Sequence, residues 1–330
     1  RRDDLCPGED NTFYNRVFKK LLDIGDFIGV EGFVFITKTG ETTLHVQQLT
    51  LLSKSLRPLP IAREKDGQSF DGFTDAEQRY RQRYVDLVVN PDVRDRFRAR
   101  SQIIQNLRRT MTDAGYLEVE TPVLQPIYGG AAAQPFTTRH ESLGTTLFLR
   151  ISNELYLKRL IVGGYDGVFE FSRNFRNEGM DRSHNPEFTC MELYVAYKDY
   201  EWMMAFTERM VEAAVKAVHG TTMVSYDGQT VDFSTPWRRL SMAEAVQEHA
   251  GIDIATMTED DLRRAAEDHG IEIDASMGKG KLIDEIFGAT CEHRITNPTF
   301  ITDYPIEMSP LAKRHREHEG FVERFETICM

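Results

Sequence analysis

Apolar and polar positions alternate in two neighbouring stretches near the N-terminus. Residues 27–37 are β-branched and aromatic with interspersed glycines, and alternation resumes over residues 42–52 after the short segment KTGE at 38–41. A period of two is typical of strands, and a short glycine-containing segment between two such stretches predicts a hairpin. A helix is predicted at residues 13–22. Residues 1–56 are therefore expected to form part of a small β-barrel.

A polar segment and two helices are predicted to follow this region. Residues 53–73 are polar and contain two prolines and two glycines, which is typical of a linker. The apolar spacing then predicts a helix over residues 75–89 that ends at Asn90-Pro91, and a long amphipathic helix over residues 92–113. We therefore assign residues 57–91 as a linker with a connecting helix.

The rest of the chain mixes strands with helices. The pattern predicts strands over residues 117–122, 146–151, 167–175, 188–197, 300–304 and 321–328, and helices over residues 154–162 and 202–218. Residues 241–292 are helix-rich, polar and acidic, which predicts a helical insertion. Strands joined by hairpins rather than by regular β-α-β alternation predict an α+β domain over residues 92–330, with an antiparallel sheet and flanking helices.

Composition narrows the class of protein. The 330 residues are 41% hydrophobic and 28% charged, as in a soluble globular protein large enough for two domains. No apolar run approaches ~18 residues, so neither a membrane span nor a signal peptide is predicted. The net charge of -12 argues against general nucleic-acid binding but leaves local tRNA contacts open. The four cysteines form no CxxC pair, which predicts reduced thiols in a cytoplasmic protein.

Candidate chemistry is concentrated in residues 175–189 (FRNEGMDRSHNPEFT). Arg176 can bind a phosphate through two N–H groups, and Glu178 can accept a hydrogen bond from the exocyclic amine of a base. His184 can reach further along a phosphate chain, and Phe188 offers a flat apolar face to a purine. Together these residue types can hold a nucleoside triphosphate without a glycine-rich loop.

This segment resembles motif 2 of the class II aminoacyl-tRNA synthetases, and in detail it resembles the motif of bacterial lysyl-tRNA synthetases. The resemblance implies activation of L-lysine with ATP to lysyl-adenylate, followed by transfer of lysine to the 3′ end of tRNA(Lys). It assigns Arg176 to the α-phosphate and the lysine carboxylate, and Glu178 to the adenine amine. It also places His184 near the β- and γ-phosphates and Phe188 on the adenine ring. Without the resemblance, Arg176 and Glu178 would be read as a surface ion pair.

The strand after this loop is expected to carry amino-acid specificity. By the period of two, Glu192 and Tyr194 share a strand face with Phe188, although an ordinary exposed face of mixed polarity would look the same. The resemblance places both residues in the lysine pocket, with Tyr194 bound to the side-chain amine. It assigns the α-ammonium group to Glu154, which could otherwise be a favourable charge at a helix N-terminus.

A small-residue loop, GGAAA at residues 129–133, precedes these elements. The sequence alone predicts only flexibility there. The resemblance implies that this loop closes over the amino acid and that the Gly130 carbonyl approaches it. Gln134, which follows the loop, stands where many relatives carry an arginine.

The resemblance also implies partners and further architecture. The helix over residues 92–113 and the strand to Pro122 resemble motif 1, which forms the dimer interface of the family, so a homodimer is expected. Residues 1–56 would be the C-terminal part of an OB-fold anticodon-binding domain. Mg²⁺ is expected with ATP, with Glu326 as a ligand. The third motif of the family would lie beyond Met330, so the chain is expected to be truncated at both ends.

Three alternatives stay open. An aspartyl- or asparaginyl-type synthetase shares the same plan but would present cations to its substrate, whereas Glu154, Glu192 and Tyr194 suit a cationic one. A lysyl transferase that modifies a translation factor resembles the catalytic domain but lacks a barrel such as that predicted at residues 1–56. A non-catalytic paralogue that keeps the fold could be separated from the enzymes by a nucleotide-binding assay.

Overall fold

The computed structural model describes residues 5, 6, 8, 10–60, 63–65, 68–70 and 72–330. The chain forms two compact units, residues 1–98 and 99–330. The helices are α1 (Phe13–Leu21), α2 (Ala76–Arg81), α3 (Arg83–Val89), α4 (Pro91–Asp113), α5 (Glu154–Val162), α6 (Tyr200–His219), α7 (Met242–Ala250), α8 (Glu259–Asp268) and α9 (Lys279–Thr290). The strands are β1 (Phe27–Ile36), β2 (Thr42–Ser53), β3 (Arg63–Lys65), β4 (Gln68–Phe70), β5 (Leu117–Glu118), β6 (Leu124–Gln125), β7 (Thr137–His140), β8 (Thr145–Leu149), β9 (Gly167–Phe175), β10 (Glu187–Val195), β11 (Met223–Tyr226), β12 (Gln229–Asp232), β13 (Arg238–Ser241), β14 (Thr299–Pro305) and β15 (Phe321–Ile328).

The first unit contains the predicted hairpin. Strands β1 and β2 pair antiparallel, and their register shifts between Glu31 and Gly32. A Cβ atom at Gly32 would lie 1.8 Å from the carbonyl oxygen of His45, so this bulge accepts only glycine. The predicted helix and hairpin are confirmed, whereas the barrel at residues 1–56 stays a prediction. Part of the predicted linker, residues 61, 62, 66, 67 and 71, lies outside the described residues.

The connecting helix predicted at residues 75–89 is in fact two helices. Gln82 leaves helical geometry, with φ of -115° and ψ of 52°, between α2 and α3. The buried carboxylate of Asp86 accepts a hydrogen bond from Arg79 of α2 at 2.8 Å and another from Arg83 of α3. The break thus lets two guanidinium groups converge on one buried charge, which the apolar spacing alone could not indicate.

The second unit positions its polar side chains on a sheet of order β10-β9-β5. Strand β9 pairs antiparallel with β10 without a shift, and β5 joins β9 in parallel. One face of this sheet packs on α4 and α6 in a buried cluster formed by Met111, Phe169, Phe206 and Met210. Because this face supplies the apolar packing, the opposite face is available for polar side chains.

The strand predicted over residues 117–122 is shorter than expected. Regular pairing with β9 ends at Glu118, although the Val119 N–H still donates to the Phe169 carbonyl at 3.0 Å. Further along, the Thr121 N–H and hydroxyl turn to the carboxylate of Glu170, at 3.3 and 2.6 Å. A side-chain acceptor thus takes the place of a strand partner for this segment.

The remaining strands of the second unit include the sheets β6-β8-β7 and β13-β14-β15. Most pairings are antiparallel, as predicted, but β13 and β14, like β5 and β9, are parallel. The pattern missed β7, β13 and the β11–β12 hairpin. These strands have four residues each, too few for a period of two to stand out.

Residues 241–292 are helix-rich, as predicted. Helices α7, α8 and α9 lie in sequence between the parallel strands β13 and β14, and they bury apolar side chains such as Leu262, Ile283 and Ile286 against Ile301 of β14. Whether this segment is an insertion relative to other proteins stays a prediction. Of the helices described, none has both the length and the apolar character that a membrane crossing requires.

Candidate active site

Strands β9 and β10 bring the predicted residues to one sheet face. In their register Phe188 lies opposite Asn174, Glu192 opposite Glu170, and Tyr194 opposite Val168. Opposite residues of an antiparallel pair project to the same side, so the alternating set on β10 shares its face with Glu170 of β9. Phe188, Glu192 and Tyr194 are all half-buried.

Arg176 follows the last residue of β9 and closes the base of the predicted loop. Its N–H donates to the Pro186 carbonyl at 2.9 Å. Its guanidinium carbon lies 5.1 Å from the centroid of the Phe188 ring. The Nε atom of Arg176 is buried and has no hydrogen-bond partner among the described residues. Because a buried charged donor normally has a partner, this group is suited to receive an anion.

Glu178 is tied to the small-residue loop through backbone groups. Its Oε1 accepts a hydrogen bond from the Gln134 N–H at 3.1 Å, and the Asn177 N–H donates to the Gln134 carbonyl at 2.8 Å. Both contacts use the main chain of Gln134. They therefore do not depend on the side chain at position 134.

His184 lies in the exposed part of the loop and contacts a carboxylate. Its Nδ1 is 2.8 Å from the Asp181 carboxylate, which also accepts from the backbone N–H groups of Ser183 and His184. The hydrogen bond from His184 lowers the pKa of Asp181 below its ordinary value. Among the described contacts, His184 is thus joined to Asp181 rather than to Arg176 or Phe188.

Glu192 is held by two neutral hydroxyl groups. The Tyr194 hydroxyl donates to its Oε2 at 2.9 Å, and the Ser152 hydroxyl donates to its Oε1 at 3.2 Å. Burial, reinforced by the charge of Glu192, raises the pKa of Tyr194 well above its ordinary value, so the phenol remains a donor. No Lys, Arg or His of the described residues forms an ion pair with Glu192, which leaves its charge available to a cation.

Ser152 connects the residues predicted for the two ends of the amino acid. Its hydroxyl accepts from the Glu154 N–H at 3.1 Å while it donates to Glu192. Gly130 has φ of 89°, and a Cβ atom there would lie 2.9 Å from the Ser152 Oγ and 3.0 Å from the Glu154 Cβ. The Glu154 carboxylate pairs with Lys158 at 2.7 Å. Sequence reasoning missed Ser152, whose only signal is its place two residues before Glu154.

A buried ion pair underlies this group and was also missed. Arg150 Nη1 lies 2.7 Å from Glu170 Oε1, with side-chain exposures of 5% and 4%. The Asn153 amide donates to the other oxygen of Glu170 at 3.2 Å. The Arg150 carbonyl accepts from the Phe175 N–H at 2.9 Å, so the pair also anchors the strand end that precedes Arg176.

Comparison with known proteins identifies the family. Residues 75–330 match the family model described as "tRNA synthetases class II (D, K and N)". The chain belongs to the class II tRNA synthetases.

Three relatives of this class II synthetase are named lysine–tRNA ligases. The protein of Porphyromonas gingivalis is 62% identical over 327 residues, covering 99% of this chain and 57% of the relative. That of Christiangramia forsetii is 58% identical, covering 99% and 58%, and that of Azobacteroides pseudotrichonymphae is 56% identical, covering 99% and 65%. The chain thus spans between about half and two thirds of the length of these curated relatives.

Glu326 lies apart from the other predicted site residues of the synthetase. It forms an ion pair with Arg324 and lines a cavity of about 390 Å³ with Lys281, Asp284 and Tyr304. Among the described residues, no group of three or more His, Cys, Asp or Glu side chains could hold a metal ion. A carboxylate already neutralised by Arg324 is a poor fit for Mg²⁺, so we derive no chemical step through the metal.

The geometry therefore brings six of the predicted residues into two groups and leaves three others apart. Arg176 and Phe188 contact each other, and Glu192, Tyr194, Glu154 and Gly130 meet around Ser152. Glu178 joins the small-residue loop, His184 joins Asp181, and Glu326 lines a separate cavity.

Proposed function

We propose that this class II synthetase acts as a lysine–tRNA ligase. The observation that carries the proposal is Glu192, whose carboxylate oxygens accept from neutral groups among the described residues, namely the hydroxyls of Ser152 and Tyr194 and the thiol of Cys190. Such a half-buried carboxylate favours a cationic side chain and rejects a neutral or acidic one, because its charge would stay unpaired or be repelled. The names of the relatives support the same amino acid.

In the first step, the lysine carboxylate attacks the α-phosphorus of ATP in line, which forms lysyl-adenylate and releases pyrophosphate. We assign Arg176 to hold both the α-phosphate and the lysine carboxylate. Its buried, unpartnered Nε supports this role. A guanidinium already in place stabilises the charge that develops on the phosphate in the transition state, and it orients the two reactants.

The rest of ATP is assigned to the same loop and strand. Phe188 is assigned to stack on the adenine ring. The Arg176 guanidinium carbon lies 5.1 Å from the centroid of the same Phe188 ring. Glu178 accepts from the adenine amine with the carboxylate that also holds the Gln134 N–H. His184, in the exposed part of the loop, is assigned to the β- and γ-phosphates. To bind them, its side chain would have to lengthen or break its hydrogen bond with Asp181.

Lysine is assigned to the group around Ser152. Glu192 and Tyr194 bind the side-chain amine, Glu154 binds the α-ammonium group, and the Gly130 carbonyl approaches the amino acid. In the second step, a terminal ribose hydroxyl of tRNA(Lys) attacks the lysyl carbonyl carbon and loses its proton, the C–O bond of the mixed anhydride breaks, and AMP leaves with the bridging oxygen. The protein contributes positioning and charge rather than a covalent intermediate.

Mg²⁺ is proposed to enter with ATP, held mainly by phosphate and water oxygens, since Mg²⁺ takes few protein ligands. Glu326 as a ligand stays a prediction, and its ion pair with Arg324 does not support it.

Further partners follow from the family plan. We propose a homodimer through motif 1, formed by the helix over residues 92–113 and the strand to Pro122. Exposed apolar side chains at Leu117, Val123, Leu124 and Ile127 support this surface. Residues 1–56 are proposed as the C-terminal part of an OB-fold anticodon-binding domain, which the antiparallel hairpin suits. Translation is the proposed process and the cytoplasm the proposed location.

The test is amino-acid-dependent ATP–pyrophosphate exchange on the full-length protein, with lysine, aspartate, asparagine and arginine compared. We expect exchange with lysine alone, and its loss in Glu192→Gln. Exchange with aspartate or asparagine would transfer the assignment to the other members of the family. Absence of exchange with every amino acid, together with failure to bind ATP, would favour a non-catalytic protein.

A further inference from the structure

We infer that Ser152 is a positioning residue that sets the specificity carboxylate Glu192 at the depth suited to lysine. The inference rests on the proposed lysine activation and deepens it. Its hydroxyl contacts both carboxylate-bearing residues assigned to the amino acid, through the Glu192 Oε1 and the Glu154 N–H.

The direction of the Ser152 hydroxyl is fixed by its two partners. The Glu154 N–H can only donate, so it occupies a lone pair of the serine oxygen at 3.1 Å. The single hydroxyl hydrogen is then directed to Glu192, at an oxygen separation of 3.2 Å. An ionised carboxylate accepts such a bond more strongly than a neutral group would.

The surroundings of Ser152 keep its side chain in place. Ser152 is 7% exposed, and the Gly130 backbone lies so close that a Cβ there would approach the Ser152 Oγ to 2.9 Å. The next residue, Asn153, is fully buried and donates to Glu170, which is paired with Arg150. The serine therefore directly precedes a residue of a buried polar network.

The two oxygens of Glu192 thus have separate hydroxyl tethers, Ser152 on Oε1 and Tyr194 on Oε2, and the Cys190 thiol makes a longer, weaker contact with Oε1 at 3.9 Å. Two tethers restrict both the rotation and the depth of a carboxylate, whereas one tether leaves it free to pivot. Lysine and ornithine differ by one methylene in the distance between their two amino groups. A pivoting carboxylate would reach the shorter amino acid more readily, so Ser152 should contribute to discrimination as well as to affinity.

The test compares Ser152→Ala with the full-length protein in ATP–pyrophosphate exchange, with lysine and ornithine as substrates. Loss of one hydrogen bond to a charged group predicts a KM for lysine about tenfold higher, with kcat and the KM for ATP little changed. The ratio of kcat/KM for lysine over ornithine should fall. Ser172→Ala is the matched control, because Ser172 is buried on β9 and bonds Asn174 rather than Glu192.

The outcomes separate the inference from the proposed function. A KM for lysine within about twofold of the parent value, or an unchanged lysine-to-ornithine ratio, would overturn the role of Ser152. Equal losses in Ser152→Ala and Ser172→Ala would also overturn it, because they would indicate general damage to the sheet. No lysine-dependent exchange in the unaltered protein would instead defeat the proposed function, and the inference with it.

Discussion

Two glutamates directly opposite each other in the β9–β10 ladder have very different surroundings. Glu170 is almost fully buried and pairs with Arg150 at 2.7 Å, with Thr121 and Asn153 on its other oxygen. Glu192 projects from the same face and is half-buried, and the groups that donate to it among the described residues are neutral, two hydroxyls and the Cys190 thiol. One carboxylate therefore has a built-in counter-charge, while its neighbour has none.

The difference supports the proposal that Glu170 stabilises the fold and that Glu192 binds a ligand. Removing a carboxylate from water costs several kcal/mol unless a cation compensates, so full burial of Glu170 requires Arg150. Glu192 keeps part of its hydration and can tolerate the lack of a cation until one arrives. On this proposal, Glu170 has a structural role and Glu192 a binding role, although they are paired in one ladder. The two roles predict different responses to the same Glu→Gln substitution.

The largest effect is expected for Glu170→Gln. This change leaves Arg150 buried without a counter-charge, so the free energy of unfolding should fall by about 3–5 kcal/mol. Chemical denaturation measures this free energy of unfolding. Glu187→Gln is the matched control, because Glu187 also lies on this ladder but is exposed and 3.7 Å from Arg173. A change below about 1 kcal/mol in Glu170→Gln would show that the pair is not structural.

Glu192→Gln should reduce activity strongly while it changes the free energy of unfolding little. Without the charge, kcat/KM for lysine should fall by at least about 100-fold, which corresponds to about 2.7 kcal/mol. The free energy of unfolding should stay within about 1 kcal/mol of the parent, because no ion pair is broken. Exchange kinetics and denaturation on the same samples test both halves. Comparable destabilisation by the two Gln variants would erase the distinction between the glutamates.

Gly130→Ala probes the space beside the recognition carboxylate. The residue has φ of 89°, and the added methyl would meet Ser152 and Glu154 at 2.9–3.1 Å. Backbone strain of about 1–3 kcal/mol is expected, together with a higher KM for lysine. Gly144→Ala is the control, since it shares a positive φ of 62° but an added Cβ would meet only the Arg139 side chain, at an ordinary contact distance of 3.9 Å. If the two variants had equal KM values for lysine, the effect of Gly130→Ala would come from backbone strain alone.

Tyr194→Phe should give the smallest effect. Loss of one hydroxyl donor to the charged Glu192 predicts a KM for lysine about tenfold higher, or about 1.4 kcal/mol. Because the pKa of Tyr194 is raised, its protonated form stabilises the fold fully below the unfolded pKa of about 10, and this contribution fades only as pH rises through the folded pKa. Alkaline titration of phenolate absorbance should therefore be unchanged by the substitution until beyond pH ~10. A lost titration step near pH ~10 would contradict the burial of the hydroxyl.

Long periodic segments were predictable from sequence, and side-chain convergence was not. The spacing indicated α5, β9 and β15 to within their observed bounds, because each carries a sustained pattern. The kink at Gln82 and the early end of β5 were not predicted. Each depends on a carboxylate of another element, Asp86 of α3 or Glu170 of β9. Four-residue strands such as β7 carry too little pattern to be detected.

In the candidate site, too, some residues were predictable from the sequence and others were not. The period of two placed Phe188, Glu192 and Tyr194 on one face, and their ladder confirms that alternation. Ser152, Arg150 and Glu170 have no distinguishing local pattern, so only their tertiary contacts reveal them. The functional role of each residue came from resemblance to the family and stays a prediction until tested.

The uninterrupted register of β9 and β10 constrains how the gene for this chain can vary in length. Inserting or deleting one residue within either strand would shift the pairing and turn every recognition side chain on β10 to the opposite surface at once. Residues 177–185, which lie between Arg176 and Pro186 at the base of the loop, are outside the ladder. Length changes there would leave the strand alignment intact, although they would displace Glu178 and His184, which are proposed to hold ATP.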